Sequence, residues 1–230
     1  MEPAPFSPAF RLVTPLGICV AVHLPRAEAI EPGLAMLHPD ERAHALTLPP
    51  LRRVTWVGGR VALRAALSGI APDPPAILST PRGAPSLPRG LAGSISHKRR
   101  IAIALAAPAD VHALGVDIEE AARVPIDIAR HVLRQEEIDA LAHRSDSDRF
   151  RETLLRFSIK EAIYKAIDPF VQRYVAFSEA SVQPFPNGTV RVRLTLRGRE
   201  GPFRIEAWWT LRDDLLISAA RACPAADLGR

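Results

Sequence analysis

The sequence predicts an α+β fold in which antiparallel strands pack on helices. Apolar residues recur at spacings of three and four in 51–68 and again in 156–167, which is the pattern of an amphipathic helix. In 190–196 apolar and polar residues alternate, as they do in a half-buried strand. Asn187-Gly188, just before this alternating segment, is a strong signal for a β-hairpin.

The first half of the chain offers a strand, two helices and a hairpin. We expect the second helix to be weakened at Gly58-Gly59, because glycine disfavours a helix interior. Residues 72–90 are rich in proline, which lacks a backbone N–H, so an extended loop is predicted there. In order, the predicted elements are a strand over 17–24, helices over 39–47 and 51–68, and strands over 93–97 and 101–107 joined at Lys98-Arg99-Arg100.

The second half repeats this mixture of helices and antiparallel strands. Its predicted elements are a strand over 112–119, helices over 126–143 and 147–167 with a polar break at Ser145-Asp146-Ser147, and strands over 181–185, 189–197, 203–211 and 214–221. We therefore expect two similar lobes, residues 1–110 and 111–230, although no sequence repeat relates them.

Composition places the chain among ordinary globular proteins. It has 230 residues, of which 47% are hydrophobic and 24% are charged. No apolar run approaches the length of a membrane span, and the first residues, MEPAPFSPAF, lack the basic and apolar regions of a secretion signal. Cys19 and Cys223 have no metal or redox spacing. We expect a cytoplasmic protein with no membrane partner.

The formal net charge of +5 favours an anionic partner: nucleic acid, a phosphate-rich small molecule or an acidic protein. The basic residues are almost all arginine. The exceptions are Lys98, Lys160 and Lys165. A compact, flexible ammonium interacts differently from a planar guanidinium, so these three positions are candidates for a specific role.

The segment GVDIEE, residues 115–120, carries two carboxylates on one side of a predicted strand. Side chains two residues apart share a face, so Asp117 and Glu119 lie about 6–7 Å apart at the backbone while Val116 and Ile118 face a core. One interpretation is the solvated face of an edge strand. The other is a Mg²⁺ site, since hard cations take carboxylate oxygens together with substrate phosphates.

The helix RFSIKEAIYKAI, residues 156–167, favours the metal interpretation. It has an apolar stripe at helical spacing, and Glu161 and Lys165 lie four residues apart on one face, beside Lys160 and Tyr164. A plain helix ion pair of this kind stabilises by only about 0.2–0.5 kcal/mol and is the simpler explanation. Two of the three lysines and a third carboxylate nevertheless fall on this one segment.

Two basic sets complete the candidates. Ser96-His97 stands at a strand end before Lys98-Arg99-Arg100, which is either a solvated turn or a phosphate contact. Arg53, Arg60 and Arg64 share one side of the helix over 51–68. They form either a solvated amphipathic face or an arginine ladder for a phosphate-bearing ligand.

Three blocks, in chain order, resemble the signature blocks of 4′-phosphopantetheinyl transferases: SISH (94–97), GVDIE (115–119) and FSIKEAIYKA (157–166). The likeness is to the larger, surfactin- and enterobactin-type group, and 51–67 resembles a helix of its enterobactin-type members. The resemblance implies a fold of two pseudosymmetric α/β lobes with the active site between them. It also implies transfer of the phosphopantetheine arm of coenzyme A to a serine of an apo acyl or peptidyl carrier protein, giving the holo carrier and 3′,5′-ADP.

The resemblance assigns the acidic residues to a metal. Asp117, Glu119 and Glu161 match the Mg²⁺ ligands, and Glu161 is also a candidate for the general base. Glu137 matches a further acidic position with a catalytic role, with Glu136 as its neighbour, and Lys165 matches the lysine at the pyrophosphate.

The remaining contacts implied by the resemblance are to coenzyme A, the co-substrate. Ser96, His97 and Lys160 match coenzyme A contacts, and Arg53 and Arg60 are expected near the 3′-phosphate, with Arg52 and Arg64 as weaker candidates. Some members carry lysine where this chain has Ala84, so Arg82 is the expected substitute at the adenine side.

The expected partners are coenzyme A and an acidic carrier protein, which a basic enzyme attracts. We expect a monomer that docks the carrier on residues 120–140, with apolar contact from Val132 and Leu133. The alternative functions are a Mg²⁺-dependent nuclease or nucleic-acid-binding domain and a catalytically inactive binding protein. Scattered basic residues without interleaved aromatic side chains disfavour the nucleic-acid alternative, and the intact acidic motifs disfavour the inactive one.

Overall fold

The computed structural model describes residues 3–121, 128–198 and 200–225. The chain divides into two compact units, Met1–Asp110 and Val111–Arg230, each with an antiparallel sheet and one long helix packed on it. The predicted α+β class is confirmed. Among the described residues, no helix has the length and apolar character needed to cross a membrane.

The first unit contains a four-stranded sheet in the order β1-β2-β4-β3. The strands are β1 (Pro8–Thr14), β2 (Gly17–His23), β3 (Leu91–Lys98) and β4 (Ile101–Pro108), and the helices are α1 (Glu31–Ala35), α2 (Pro39–Leu46) and α3 (Pro50–Leu67). Helix α3 packs on β2 and β4, and the shared core includes Val57, Val61 and Ala104. The hairpin predicted across residues 98–100 is present as β3 and β4.

Helix α3 is continuous, so the break predicted at its glycine pair is wrong. A Cβ on Gly58 would lie 2.1 Å from Leu24 Cδ2, and one on Gly59 would lie 2.7 Å from Ile95 Cγ2. The two glycines therefore allow the helix to lie close against the neighbouring strand residues. Strand β1 was not predicted, because its pattern follows a proline-rich beginning and is short.

The second unit contains a five-stranded sheet in the order β5-β9-β8-β7-β6. Its strands are β5 (Ala113–Glu120), β6 (Ala180–Pro184), β7 (Thr189–Leu194), β8 (Phe203–Arg212) and β9 (Leu215–Pro224), and its helices are α4 (Ala129–Val132), α5 (Gln135–Leu141) and α6 (Asp146–Val171). Helix α6 packs on β5 and β9. The Asn187-Gly188 hairpin is confirmed, with Pro184 opposite Val190 and Gly188 at φ +85°.

The helix predicted over 126–143 differs from the structure. Residues 126 and 127 lie outside the described residues, and the remainder forms α4 and α5, two short helices. They are separated because Leu133 has extended backbone angles, φ −89° and ψ 143°. Val132 and Leu133 are buried in a small apolar cluster with Leu141, so they cannot supply the exposed docking contact expected of them. Of the expected docking segment, residues 122–127 lie outside the described residues.

Candidate active site

Strand β5 carries two carboxylates that are buried although the strand is at the edge of its sheet. Asp117 is 5% exposed and Glu119 is 8% exposed. The solvated-edge interpretation is therefore wrong. Buried carboxylates need nearby hydrogen-bond donors or cations, so their surroundings decide what they can do.

Gly115 explains how these carboxylates come close to α6. A Cβ at this position would lie 1.8 Å from the carbonyl oxygen of Ala162, so a side chain would push the strand away from the helix. Because alternate residues of a strand share a face, Asp117 and Glu119 lie on the same side as Gly115, toward α6. The glycine of the GVDIE block is therefore required for the contact between the two elements.

Lys165 links α6 to β5 directly. Its Nζ donates hydrogen bonds to the carbonyl oxygen of Val116 at 2.8 Å and to Oδ1 of Asp117 at 2.9 Å. The Lys165 side chain is 30% exposed and the Asp117 side chain 7%. Lys165 thus contacts a carboxylate on another element, which a plain helix pair with Glu161 would not require. This ion pair was not anticipated from the sequence, where the rarity of lysine was the only signal.

Glu161 lies within electrostatic reach of the other three charged groups. Burial raises the pKa of Glu161, the positive charge of Lys165 opposes this shift, and the negative charges of Asp117 and Glu119 add to it. The charges of Asp117, Glu119 and Lys165 therefore all act on Glu161. Glu161 itself is partly exposed, so this cluster is open on the side of α6.

The donor set of this cluster fits a hard divalent cation in its chemistry, because it offers only carboxylate oxygens. In the described part of the chain, however, no three Asp, Glu, His or Cys side chains are grouped closely enough to hold a metal as they stand. Asp117 is paired with the Lys165 ammonium in this arrangement.

Lys160 and Glu137 form a separate, enclosed ion pair. Lys160 Nζ donates to Glu137 Oε2 at 2.6 Å, to the Val132 carbonyl at 2.8 Å and to the Phe177 carbonyl at 3.3 Å. Glu137 also accepts from the backbone N–H groups of Arg134 and Val182. The Lys160 side chain is 0% exposed and that of Glu137 is 4%.

This pair bears on two of the implied roles. The resemblance makes Lys160 a coenzyme A contact and Glu137 a catalytic acid, and in the structure both have internal partners. Burial lowers the pKa of Lys160, and the hydrogen bond and charge of Glu137 oppose that shift. The pair connects α4, α5 and β6 with α6, and the two implied roles stay predictions.

The arginine ladder of α3 also has internal acceptors. Arg53 donates to the carbonyl oxygens of residues 45, 46 and 48 at 3.0, 3.1 and 2.9 Å. Arg64 pairs with the buried Glu41 at 2.8 Å and reaches the carbonyls of residues 74 and 75. These contacts hold the turn after α2 and the proline-rich loop against α3.

Arg60 is the most enclosed arginine of the ladder, at 3% exposed. Its Nε donates to the Ile77 carbonyl at 2.6 Å and one Nη donates to the Leu78 carbonyl at 3.1 Å. Its guanidinium lies 4.3 Å from the centroid of the Trp56 ring. Burial lowers the pKa of Arg60 to about 10, and the charge of Glu41 opposes the shift. The expected 3′-phosphate contacts of Arg53 and Arg60 stay predictions.

The other residues expected at coenzyme A lie in two places in the first unit. Ser96 and His97 are the two residues before Lys98, at which β3 ends. As neighbours in a strand they point to opposite faces of the sheet. Ser96 is buried and His97 is exposed. Arg82 is exposed in the turn that brings Ser79 opposite Pro85. Their roles also stay predictions.

Comparison with known protein families decides the class of this chain. The model of the 4′-phosphopantetheinyl transferase superfamily matches residues 113–220, and that of the 4′-phosphopantetheinyl transferase N-terminal domain matches residues 40–107. The chain belongs to the 4′-phosphopantetheinyl transferase superfamily. The presence of the N-terminal domain is consistent with the larger, two-lobed group expected from the sequence.

Characterised relatives agree with this membership. The chain is 32% identical over 209 residues to 4′-phosphopantetheinyl transferase Svp of Streptomyces mobaraensis, covering 86% of this chain and 84% of that protein. It is 30% identical over 208 residues to 4′-phosphopantetheinyl transferase Npt of Nocardia iowensis, covering 84% and 93%. The enzyme class predicted from the three sequence blocks is confirmed.

Solved structures similar to this chain include holo-ACP synthases that match about half of it. That of Plasmodium yoelii has a TM-score of 0.40 and 18% identity, covering 50% of this chain and 98% of that chain. That of Thermotoga maritima has a TM-score of 0.37 and 20% identity, covering 48% and 62%.

Proposed function

We propose that this enzyme transfers the 4′-phosphopantetheine arm of coenzyme A to a serine of an apo acyl or peptidyl carrier protein. The serine oxygen attacks the phosphorus that bears the pantetheine arm, the bond to the second phosphate breaks, and 3′,5′-ADP leaves. The observation that carries the proposal is the cluster of Asp117, Glu119, Glu161 and Lys165 between β5 and α6. With a divalent cation bound, such a cluster would stabilise the negative charge that develops on 3′,5′-ADP as the diphosphate bridge breaks.

Asp117, Glu119 and Glu161 would together hold Mg²⁺, since their oxygens are the ligands this cation prefers. When bound, the ion supplies positive charge that neutralises the diphosphate oxygens. Asp117 and Glu119 are buried on β5, so they are suited to fixing position, whereas Glu161 is partly exposed. These assignments support the Mg²⁺ dependence of the proposed reaction.

Two of the chain's own groups carry the remaining chemistry. The serine hydroxyl must lose a proton, and Glu161 or a water beside it is the proposed acceptor. Glu161 is partly exposed, so its carboxylate can be reached from solvent. The ammonium of Lys165 stands at the same cluster, where it is the proposed contact of the departing phosphate. Glu137, the other candidate base, is enclosed by its internal partners.

The net charge of +5 supports an acidic protein as the acceptor, because opposite charge speeds encounter. Membership of the superfamily favours transferase activity over the nuclease alternative. The monomeric state and the identity of the carrier stay predictions.

The test is a transfer assay with a panel of apo carrier proteins, coenzyme A and Mg²⁺, read by intact-protein mass. We expect the carrier to gain the mass of the phosphopantetheine arm, and a carrier with its serine changed to alanine to gain nothing. EDTA should stop the reaction and excess Mg²⁺ should restore it. Transfer that continues at the same rate in EDTA would contradict the role of the metal.

A further inference from the structure

The contact between Lys165 and Asp117 raises a question about the metal site. Lys165 places its ammonium 2.9 Å from Oδ1 of Asp117, one of the three oxygen-bearing residues proposed to hold Mg²⁺. A second bond, 2.8 Å long, ties the same nitrogen to the Val116 carbonyl on β5. The ammonium is thus attached to the strand at two neighbouring residues.

An ammonium in this position disfavours a divalent ion at the same carboxylate. Two positive centres that share one acceptor repel each other, and this repulsion is strong where water is largely excluded, as it is around Asp117. Lys165 also neutralises part of the negative charge that would attract a cation to Asp117, Glu119 and Glu161.

The position of Lys165 can change without disturbing the core. Its side chain is 30% exposed, whereas the apolar residues on either side of it in α6, such as Ile163 and Ala166, are fully buried. A lysine has a long flexible stem with rotatable donors, so its ammonium can leave Asp117 for a better acceptor nearby. A diphosphate is such an acceptor, because it carries several anionic oxygens.

We propose that Lys165 and the divalent cation compete for Asp117, and that the diphosphate of coenzyme A relieves the competition by drawing the ammonium to itself. This inference rests on the proposed function, and it adds an order to the binding steps. The cation binds weakly to the protein alone and tightly together with coenzyme A. Lys165 therefore couples two ligands, in addition to any contact it makes during the reaction.

Equilibrium binding without a carrier protein tests this coupling in the absence of turnover. The probe is Mn²⁺, measured by electron paramagnetic resonance and by isothermal titration calorimetry, with and without coenzyme A. In the unmodified protein we expect coenzyme A to lower the Kd for Mn²⁺ at least tenfold, after correction for the weak binding of Mn²⁺ to free coenzyme A. Reciprocity requires Mn²⁺ to tighten coenzyme A binding by the same factor.

The informative variant is Lys165→Gln, which removes the charge but keeps donors for Val116 and Asp117. We expect it to bind Mn²⁺ alone at least tenfold more tightly than the unmodified protein does, and to show a smaller coupling with coenzyme A. Arg151→Gln is the matched control, because it removes one positive charge from an exposed position of the same helix. Lys165→Met serves as a second variant, and melting curves verify that each protein is folded.

The outcomes separate this inference from the proposed function. If Asp117→Asn binds Mn²⁺ as the unmodified protein does, the metal assignment itself is overturned. If Asp117→Asn loses Mn²⁺ but Lys165→Gln and Lys165→Met bind the ion no more tightly than the Arg151→Gln control, the metal assignment holds and the competition is overturned. Equal Mn²⁺ affinity with and without coenzyme A in the unmodified protein would also overturn it.

Discussion

The long helices of the two units use similarly spaced charges for different purposes. In α3, Arg60 and Arg64 contact carbonyl oxygens of the proline-rich loop, where proline supplies no N–H to satisfy them. In α6, Lys160 likewise binds internal partners. Lys165 instead donates to Asp117 on β5, and Glu161 is influenced by the charges of both β5 carboxylates. The difference teaches that spacing places charged residues on one face of a helix, while the neighbouring segment decides whether they are structural or functional.

The largest effect is expected where α6 faces β5. Asp117→Asn should lower the transfer rate by about 10³-fold, because removing one preorganised electrostatic group beside a reacting phosphate costs about 10²–10³-fold or more. The measurement is the initial rate of mass gain on an apo carrier protein, with circular dichroism to verify folding. Glu120→Gln is the matched control, since Glu120 follows the pair on β5 but points to the other face. A rate within twofold of the parent for Asp117→Asn would mean that the cluster is not the active site.

Changing Lys160, which pairs with Glu137, is expected to lower the stability of the fold and to leave the affinity for coenzyme A unchanged. Lys160→Met leaves Glu137 buried without its cation, which typically costs about 3–5 kcal/mol. The measurement is the free energy of unfolding in urea, with Arg151→Met as an exposed control on α6. Adding Glu137→Gln to Lys160→Met should recover part of the loss, because the uncompensated charge is gone. If Lys160→Met keeps its stability but raises the KM for coenzyme A, the residue contacts the co-substrate as the resemblance implies.

Much of the fold could be predicted from the sequence because its signals are local. The alternation in β7 and the Asn187-Gly188 turn depend on residues close together in the chain, and both are present as expected. The reason for the glycine pair in α3 could not be predicted in this way. It lies in how closely Leu24 and Ile95, which are remote in sequence, approach the helix.

The candidate site was predictable in its residue types but not in its partners. The charges of Asp117 and Glu119 on β5 act on Glu161 of α6, and the metal role that the three ordered sequence blocks imply stays a prediction. Arg60 and Lys160 both donate to backbone carbonyls remote in the chain, and a carbonyl leaves no signature in a sequence. Lys160 also pairs with Glu137, which its spacing does not reveal. A basic residue on a helix therefore carries no information about whether its acceptor is a ligand or the protein itself.

A smaller effect is expected for the arginine ladder of α3. Arg60→Ala leaves the buried carbonyl of Ile77 and the carbonyl of Leu78 without their donor, which should lower the free energy of unfolding by about 2–3 kcal/mol. Arg52→Ala, an exposed change on the same helix, should stay within about 0.5 kcal/mol of the parent. Urea unfolding of both variants measures the difference. Equal stability of the two variants would show that the Arg60 contacts contribute nothing to the fold.

The smallest effect is expected at the ion pair between Arg173 and Glu179 in the second unit. Glu179 accepts hydrogen bonds from Arg173, and these bonds lower its pKa from about 4.5 to about 2. A depressed pKa in the folded state means that the ionised carboxylate stabilises the fold above pH 4.5 and that this contribution is lost as the pH falls toward 2. Glu179→Gln should therefore lower the free energy of unfolding by about 1–2 kcal/mol at pH 7. The difference in this free energy between variant and parent should disappear as the pH falls from 4.5 toward 2. Glu200→Gln removes the other carboxylate partner of Arg173 and should cost less, because Glu200 is more exposed than Glu179. A gap for Glu179→Gln that stays constant from pH 7 to pH 2 would mean that its charge does not contribute, and that the second unit is held by packing and neutral hydrogen bonds at this point.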